Sequence, residues 1–322
     1  MEVAISRDSA MKFFDKYVTL HPPPATESKG STTKTKEVKA VFSSDSKQDD
    51  RGIVAKTHIP AWSVVGTTQK LITVKKAPKG SEWEGLETPN LATALASLIA
   101  CQSPAAFRLL PCFLKLYPRR ISDIKTLTEV LEDQDALAGW IMEVFISNSV
   151  SPIDEIILYD ESFSYINHSC LPNCVLSIDS TVSETPIVAV RTIAESEPLL
   201  VRYKGFGFDD YEERTKQIEM WWKFKCTCDA CLHPERFKGE EWWKKLLSES
   251  CHVCGRKGNP TTQKLSQCSN CKGSRYCSRE CQKIDYPLHK RYCQAKEHHS
   301  DTETLLAFTI QCAVERYLQS KR

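Results

Sequence analysis

Cys226, Cys228 and Cys231 place three thiols within six residues, in the spacing C-x-C-x-x-C. Packing gives no reason for that spacing, whereas metal ligation does. Zinc is the metal selected by closed, sulfur-rich tetrahedral sites, and three thiolates need a fourth ligand to complete one. By residue type the fourth is Cys170, Cys174, His233 or one of the distal cysteines. A second run holds Cys251, Cys254, Cys268, Cys271, Cys277, Cys281, His289 and Cys293, which reads C-x2-C-x13-C-x2-C-x5-C-x3-C-x7-H-x3-C. Eight ligands make two four-coordinate sites. C-x3-C and H-x3-C each set two ligands about one helical turn apart. So short a segment cannot bury an adequate apolar core, and metal must supply much of its folding free energy. Sites with four protein ligands and no open position are structural rather than hydrolytic.

A third stretch, Asn167-His168-Ser169-Cys170-Leu171-Pro172-Asn173, suits a tight polar crossing. Two side-chain amides, an imidazole with one donor and one acceptor, and a thiol lie within seven residues. Pro172 stiffens the exit. By turn chemistry alone the same residues also make an ordinary turn between strands.

The chain has 322 residues, 41% hydrophobic and 26% charged, the balance of a soluble globular protein of about two domains. Its 15 cysteines lie mostly between Cys226 and Cys293. Residues 1–10 carry Arg7 and Asp8 without an apolar signal region. Metal-type cysteine spacing without such a signal implies a reducing compartment, nucleus and/or cytoplasm. Leu91 to Cys101 is too short to span a bilayer, so no membrane partner is expected. The formal charge is +2. Eleven thiolates and one histidine on three zinc ions would change it by −11 + 6 = −5, to about −3. Such a chain is not built globally to coat nucleic acid. Lys272, Arg275, Arg279, Lys283, Lys290 and Arg291 leave a local basic face, a solvated surface or a site for nucleic acid or acidic peptide.

The elements that must position these groups follow from hydrophobic periodicity. Residues 9–20 predict an amphipathic helix, and 21–37, with Pro22 to Pro24, a linker. Short strands are expected at 38–42, 52–55, 64–65 and 71–74, then a loop over 77–90. Asn90 is the expected N-cap of the first of several helices filling 91–148, with others opened by Pro104 and Ser122. Strands return at 156–159, 175–178, 187–190 and 199–201, and helices at 211–222 and 240–247. Ser300 and Glu303 form a capping box for a C-terminal helix with an apolar stripe of Leu306, Ile310, Ala313, Val314 and Tyr317.

Residues 251–293 resemble the MYND zinc finger, through Tyr276-Cys277-Ser278 and the closing Cys281, His289 and Cys293. The resemblance implies interleaved ligand sets: Cys251, Cys254, Cys277 and Cys281 on one ion, Cys268, Cys271, His289 and Cys293 on the other. It also implies a module for short proline-containing peptides. The heptad at 167–173, the turn Arg191 to Leu199 leading to Tyr203, and Cys226, Cys228 and Cys231 together resemble the SET-domain protein lysine methyltransferases, nearest the SET-and-MYND group.

That resemblance implies an α+β fold of small β-sheets with a threaded segment, a helical insert, a post-SET zinc site and a small finger. It divides the chain into an N-terminal helix and linker (1–37), a SET N-terminal half (38–76), the insert (77–148), a SET C-terminal half (149–210), the post-SET site (211–234), the finger (251–293) and a C-terminal helix (300–322). It makes Cys170 the fourth post-SET ligand. It implies S-adenosyl-L-methionine as cofactor, bound by Gly52, Asn148, Asn167, His168, Tyr203 and Phe224, with Tyr203 also catalytic beside a protein lysine substrate. The sequence departs from the family at Asp50 and Ser196, each in place of glycine, and at Val150 and Pro198. These departures motivate the other reading, a non-catalytic SET/MYND adaptor in transcriptional regulation.

Overall fold

The computed structural model describes residues 6–22, 39–42, 51–116, 132–152, 154–179, 182–203, 211–237, 239–259, 261, 264–294 and 302–321. Asp50, Ser122, Phe206, Phe208, Ser300 and most of the predicted linker lie outside the described residues. The chain divides into two compact units, one of residues 1–31 and 68–164, the other of 32–67 and 165–322.

In the first unit, helix Arg7–Tyr17 starts at Ser6, whose hydroxyl accepts the Ser9 amide. The helix predicted over 9–20 stops at Tyr17 because Val18–Leu20 becomes a strand, paired antiparallel with Ile72 to Val74. Val18 and Thr19 are β-branched and suit that edge position. The strands predicted at 64–65 and 71–74 are one strand, Val64–Lys75. Its later part pairs antiparallel with Glu155–Tyr159, which in turn pairs with Ser149–Val150.

Helix Glu87–Ala100 begins inside the predicted loop, and Asn90 lies within it, fully buried, rather than capping it. Pro89 does not bar that start, since amides of a first helical turn have no intrahelical acceptor. Helix Gln134–Asn148 is capped by Asp133, whose carboxylate accepts the amides of Asp135 and Ala136. Phe13, Leu91, Leu95, Phe113, Trp140, Ile141 and Leu158 are buried together as the core of this unit. Among the described residues no single helix is long and apolar enough to cross a membrane.

The second unit is built from short strand pairs. Cys174–Leu176 and Glu184–Ala189 form an antiparallel hairpin. Asn167–His168 runs parallel to Leu200–Val201. Lys39–Phe42 pairs with Arg51–Val54. Residues 53–55 also exchange backbone bonds with 196–199: the Leu199 amide donates to Ile53 (2.8 Å), Ala55 to Glu197 (2.9 Å) and Ser196 to Ala55 (2.7 Å). These bonds bring Gly52 beside the heptad.

The same unit carries the cysteine-rich segments and helix Thr302–Ser320. Leu306, Ile310, Ala313 and Val314, four of the five residues predicted for its apolar stripe, are buried against Trp62, Val175, Val188, Trp243 and Leu247. On its other side Arg316 forms an ion pair with the buried Asp285 and donates to the His252 carbonyl (2.7 Å). Asp285 also accepts the Tyr276 hydroxyl (2.9 Å). The C-terminal helix is therefore the bracket between the cysteine-rich segment 251–293 and the strands.

A second fastening lies at Pro60-Ala61-Trp62. Trp62 is buried at φ 58° and donates through Nε1 to the Ser250 hydroxyl (2.9 Å). A positive φ is strained for so large a side chain. Gly255, at φ +70°, packs so closely on Ala61 that a Cβ there would fall 2.6 Å from the Ala61 nitrogen and oxygen.

Candidate active site and metal centres

The heptad makes a crossing, and Asn173 holds it. Its backbone amide donates to Leu200 (3.0 Å), its Oδ1 accepts the Leu200 amide (2.7 Å), and its Nδ2 donates to the Pro198 carbonyl (2.8 Å) and to Glu197 (3.2 Å). Asn173 is fully buried, so each of these bonds offsets a desolvation cost. Glu197 also accepts the Ala194 amide (2.9 Å) and pairs with Arg191 (2.5 Å). Burial would raise the Glu197 pKa, but the Arg191 contact and the Ala194 and Asn173 donors outweigh it and hold the carboxyl below its ordinary value. Ser196 has φ 64°, in the left-handed region that favours glycine.

One residue-pair along, the heptad turns chemical. His168 Nδ1 accepts the Tyr203 amide (3.1 Å), which leaves the proton on Nε2, 3.4 Å from the Cys170 sulfur. Burial lowers the His168 pKa to about 4, keeping the ring neutral. The His168 and Tyr203 rings lie 5.1 Å apart, His168 and Phe224 5.9 Å, and Tyr203 and Phe224 6.4 Å at nearly right angles. Trp222 lies 5.4 Å from Tyr203. The Tyr203 hydroxyl donates to the Ile166 carbonyl (3.1 Å), which fixes its direction. At Gly52 a Cβ would come 3.0 Å from Asn167 Nδ2, a tight approach to which the amide would have to yield.

Three clusters bring the cysteines together: Cys170 with Cys226, Cys228 and Cys231; Cys251 with Cys254, Cys277 and Cys281; Cys268 with Cys271, His289 and Cys293. Within each, the ligand atoms lie within 4.8 Å of one another. Tetrahedral Zn–S bonds of ~2.3 Å put sulfurs about 3.8 Å apart. Cys170 to Cys231 is 3.5 Å, Cys170 to Cys226 4.0 Å, Cys254 to Cys277 3.5 Å and Cys268 to Cys293 3.6 Å. His289 presents Nε2 to Cys268 (3.3 Å) and Cys271 (3.6 Å), while Nδ1 meets the Ser274 hydroxyl (3.2 Å). That outer contact selects the tautomer a metal needs.

Charge supports the same reading for the first cluster. Mutual hydrogen bonds push the Cys170 thiol up and Cys228 down. Arg214 donates through Nε to Cys170 (3.1 Å). Burial disfavours its charge, but the sulfurs of Cys170 and Cys231 reverse that and raise its pKa.

Against known families, residues 50–204 match the SET domain and residues 251–293 the MYND finger. The chain carries a SET domain followed by a MYND zinc finger. It is 26% identical over 111 residues to a SET and MYND domain-containing protein of Dictyostelium discoideum, covering 27% of this chain and 20% of that one. It is 34% identical over 77 residues to the histone-lysine N-methyltransferase SMYD1 of Homo sapiens, covering 20% and 16%. A third relative, Dauer abnormal formation protein 25 of Caenorhabditis elegans, is 46% identical over 47 residues, covering 15% and 11%. Each match thus spans a fifth or less of the relative's length. The Cys/His clusters are those of zinc-binding sites.

Of the predicted site residues, Gly52, Asn167, His168, Tyr203 and Phe224 converge in the second unit beside the SET domain's four-sulfur cluster. Asn148 belongs to the first unit, where its amide donates to the carbonyls of Leu116 (3.0 Å) and Val144 (2.8 Å). Cys174, a candidate ligand by type, is fully buried in its hairpin, outside the three clusters. His233, the other, is exposed and faces Glu235 (3.9 Å). Sequence reasoning gave no role to Arg214, Trp222 or Ser274, and placed Glu197 only within the turn that leads to Tyr203. Trp222 alone had a signal: it shares a short run with Phe224.

Proposed function

We propose that this protein is an S-adenosyl-L-methionine-dependent protein-lysine N-methyltransferase, with three structural zinc ions and a MYND finger that binds partner proteins. The observation that carries the reading is the convergence of Gly52, Asn167, His168, Tyr203 and Phe224 on one point of the SET domain, joined by Cys170 to a four-sulfur cluster. A Cβ at Gly52 would crowd Asn167 Nδ2, which supports a backbone turn kept bare beside the amino-acid end of such a cofactor.

When bound, the cofactor supplies an electrophilic methyl group and a positive charge. The protein's part is alignment, since in-line displacement requires nucleophile, methyl and leaving sulfur on one axis. Asn167 and the Gly52 backbone hold the amino-acid end. Phe224 offers a ring face to the adenine. Tyr203, its hydroxyl fixed by Ile166, orients the substrate amine. That amine must be neutral to attack, against a free pKa of about 10.4. An aromatic, poorly hydrated wall beside a cation lowers that value. Neutral His168 adds no charge of its own.

Calorimetry on zinc-loaded protein tests cofactor binding, and labelled methyl transfer into a proteome extract tests catalysis. Tyr203→Phe is expected to lower labelling by about 100-fold while cofactor binding persists. Equal labelling by both proteins would remove Tyr203 from the catalytic role. The adaptor reading predicts no cofactor binding at all. Against it stands Ser196, which holds a positive φ of 64° as a glycine could. So many metal-ligating thiols call for a reducing compartment, nucleus or cytoplasm.

A further inference from the structure

Helix Tyr211–Trp222 meets the SET domain's four-sulfur cluster along one stripe. Arg214, Ile218 and Trp222 are spaced four residues apart and so share a face. Ile218 is buried among Cys170, Cys226 and Cys231. Trp222 lies against Tyr203. Arg214 reaches the cluster by charge, with Nε 3.1 Å from the Cys170 sulfur and the guanidinium 5.8 Å from the Tyr211 ring centroid.

A zinc ion with four thiolates carries a net charge of 4 × (−1) + 2 = −2, in a setting where Cys170 and Cys231 are buried. Such a charge is costly without a nearby cation. His168 accepts the Tyr203 amide at Nδ1, so it offers Cys170 an N–H without a charge. Arg214 offers both.

We propose that Arg214 is the counter-charge of this zinc–thiolate centre and, through it, the positioning residue that seats helix Tyr211–Trp222 against Tyr203. The inference rests on a metal at this cluster and not on methyl transfer.

The test uses full-length protein, with Cys170→Ser as the control that identifies which ion belongs to this cluster. Zinc release to a chelator is followed by a chromogenic indicator. The cobalt-substituted protein gives the energy of the sulfur-to-metal charge-transfer band. In Arg214→Met, that ion is expected to leave at least ~10-fold faster, as for loss of other outer-shell partners. The cobalt band is expected to move to longer wavelength, because a sulfur without its donor gives up charge more readily. Arg214→Lys keeps the charge and should restore much of the retention, but not the band. Unchanged release and an unmoved band in Arg214→Met would overturn the proposal. If Arg214→Met fails to fold by circular dichroism, Arg214→Lys decides: wild-type release and band there would overturn it, and a displaced band would support it. If Cys170→Ser kept every zinc ion, the premise of a metal at this cluster would fall, whatever the methyl-transfer assay showed.

Discussion

The two kinds of metal cluster in the second unit are built in opposite ways. The MYND clusters draw all their ligands from 251–293, with sulfur partners 23 and 25 residues apart. The SET cluster joins Cys170 to Cys226 across 56 residues. Loop length is not what separates them, since doubling a loop costs only about 0.6 kcal/mol. The difference is what brings the ligands into place. In the finger, two knuckles and one helix present them locally. Cys170 arrives only when the heptad has crossed beneath Leu200 and Val201, with Asn173 fully bonded. Metal can organise the finger, whereas the core must first organise the SET cluster.

The comparison breaks most directly at Cys170. Cys170→Ser is expected to remove one zinc equivalent, to leave two, and to weaken cofactor binding by at least about 10-fold (~1.4 kcal/mol) although Cys170 reaches no substrate. Cys277→Ser should remove a different ion and leave cofactor affinity near wild type. Elemental analysis with calorimetry separates these outcomes, and identical effects from both would collapse the distinction.

Gly255→Ala sharpens the contrast from the other side. It leaves every MYND ligand in place but sets a methyl 2.6 Å from the Ala61 backbone, at a φ unsuited to alanine. Destabilisation of about 3 kcal/mol is expected, with the zinc content of folded protein unchanged. A thermal melt beside metal analysis reads both.

Acid should act on the crossing through Glu197. Its folded pKa is depressed, so its contribution is present above the unfolded value of about 4.3 and is lost as pH falls through the folded one. The stability difference between wild type and Glu197→Gln is therefore expected to be widest near neutrality and to close below about pH 4. Parallel curves down to acid would assign the crossing to Asn173 alone. The smallest effect expected is a gain: Ser196→Gly relieves a left-handed serine and should stabilise by about 1 kcal/mol in denaturant titrations.

The same contrast explains what could be read in the chain. The finger's ligands were legible because each short spacing is itself the geometry. The heptad was legible as chemistry but not as architecture. Nothing near Asn173 in sequence announces that its amide will bind a carbonyl 25 residues later. Arg214 was illegible because its partner is a sulfur 44 residues away rather than a carboxylate. Helix Glu87–Ala100 starts earlier than the sequence suggests, because Pro89 reads as a breaker but stands in a tolerant first turn. Residues 18–20 read as helix in the sequence, and their pairing with Ile72 to Val74, distant in the chain, makes them a strand. Local rules fail at those points where a tertiary neighbour sets the conformation.

Trp62 has a consequence for synthesis. Its indole partner, Ser250, is made 188 residues later. At ~5–20 residues per second that is about 10–40 s, during which Trp62 and the apolar strands around it lack the residues that later bury them. The C-terminal helix that completes the cover emerges later still. A ribosome carrying the finished SET strands therefore holds a chain whose core is open on one side, and that interval is when a chaperone would find it.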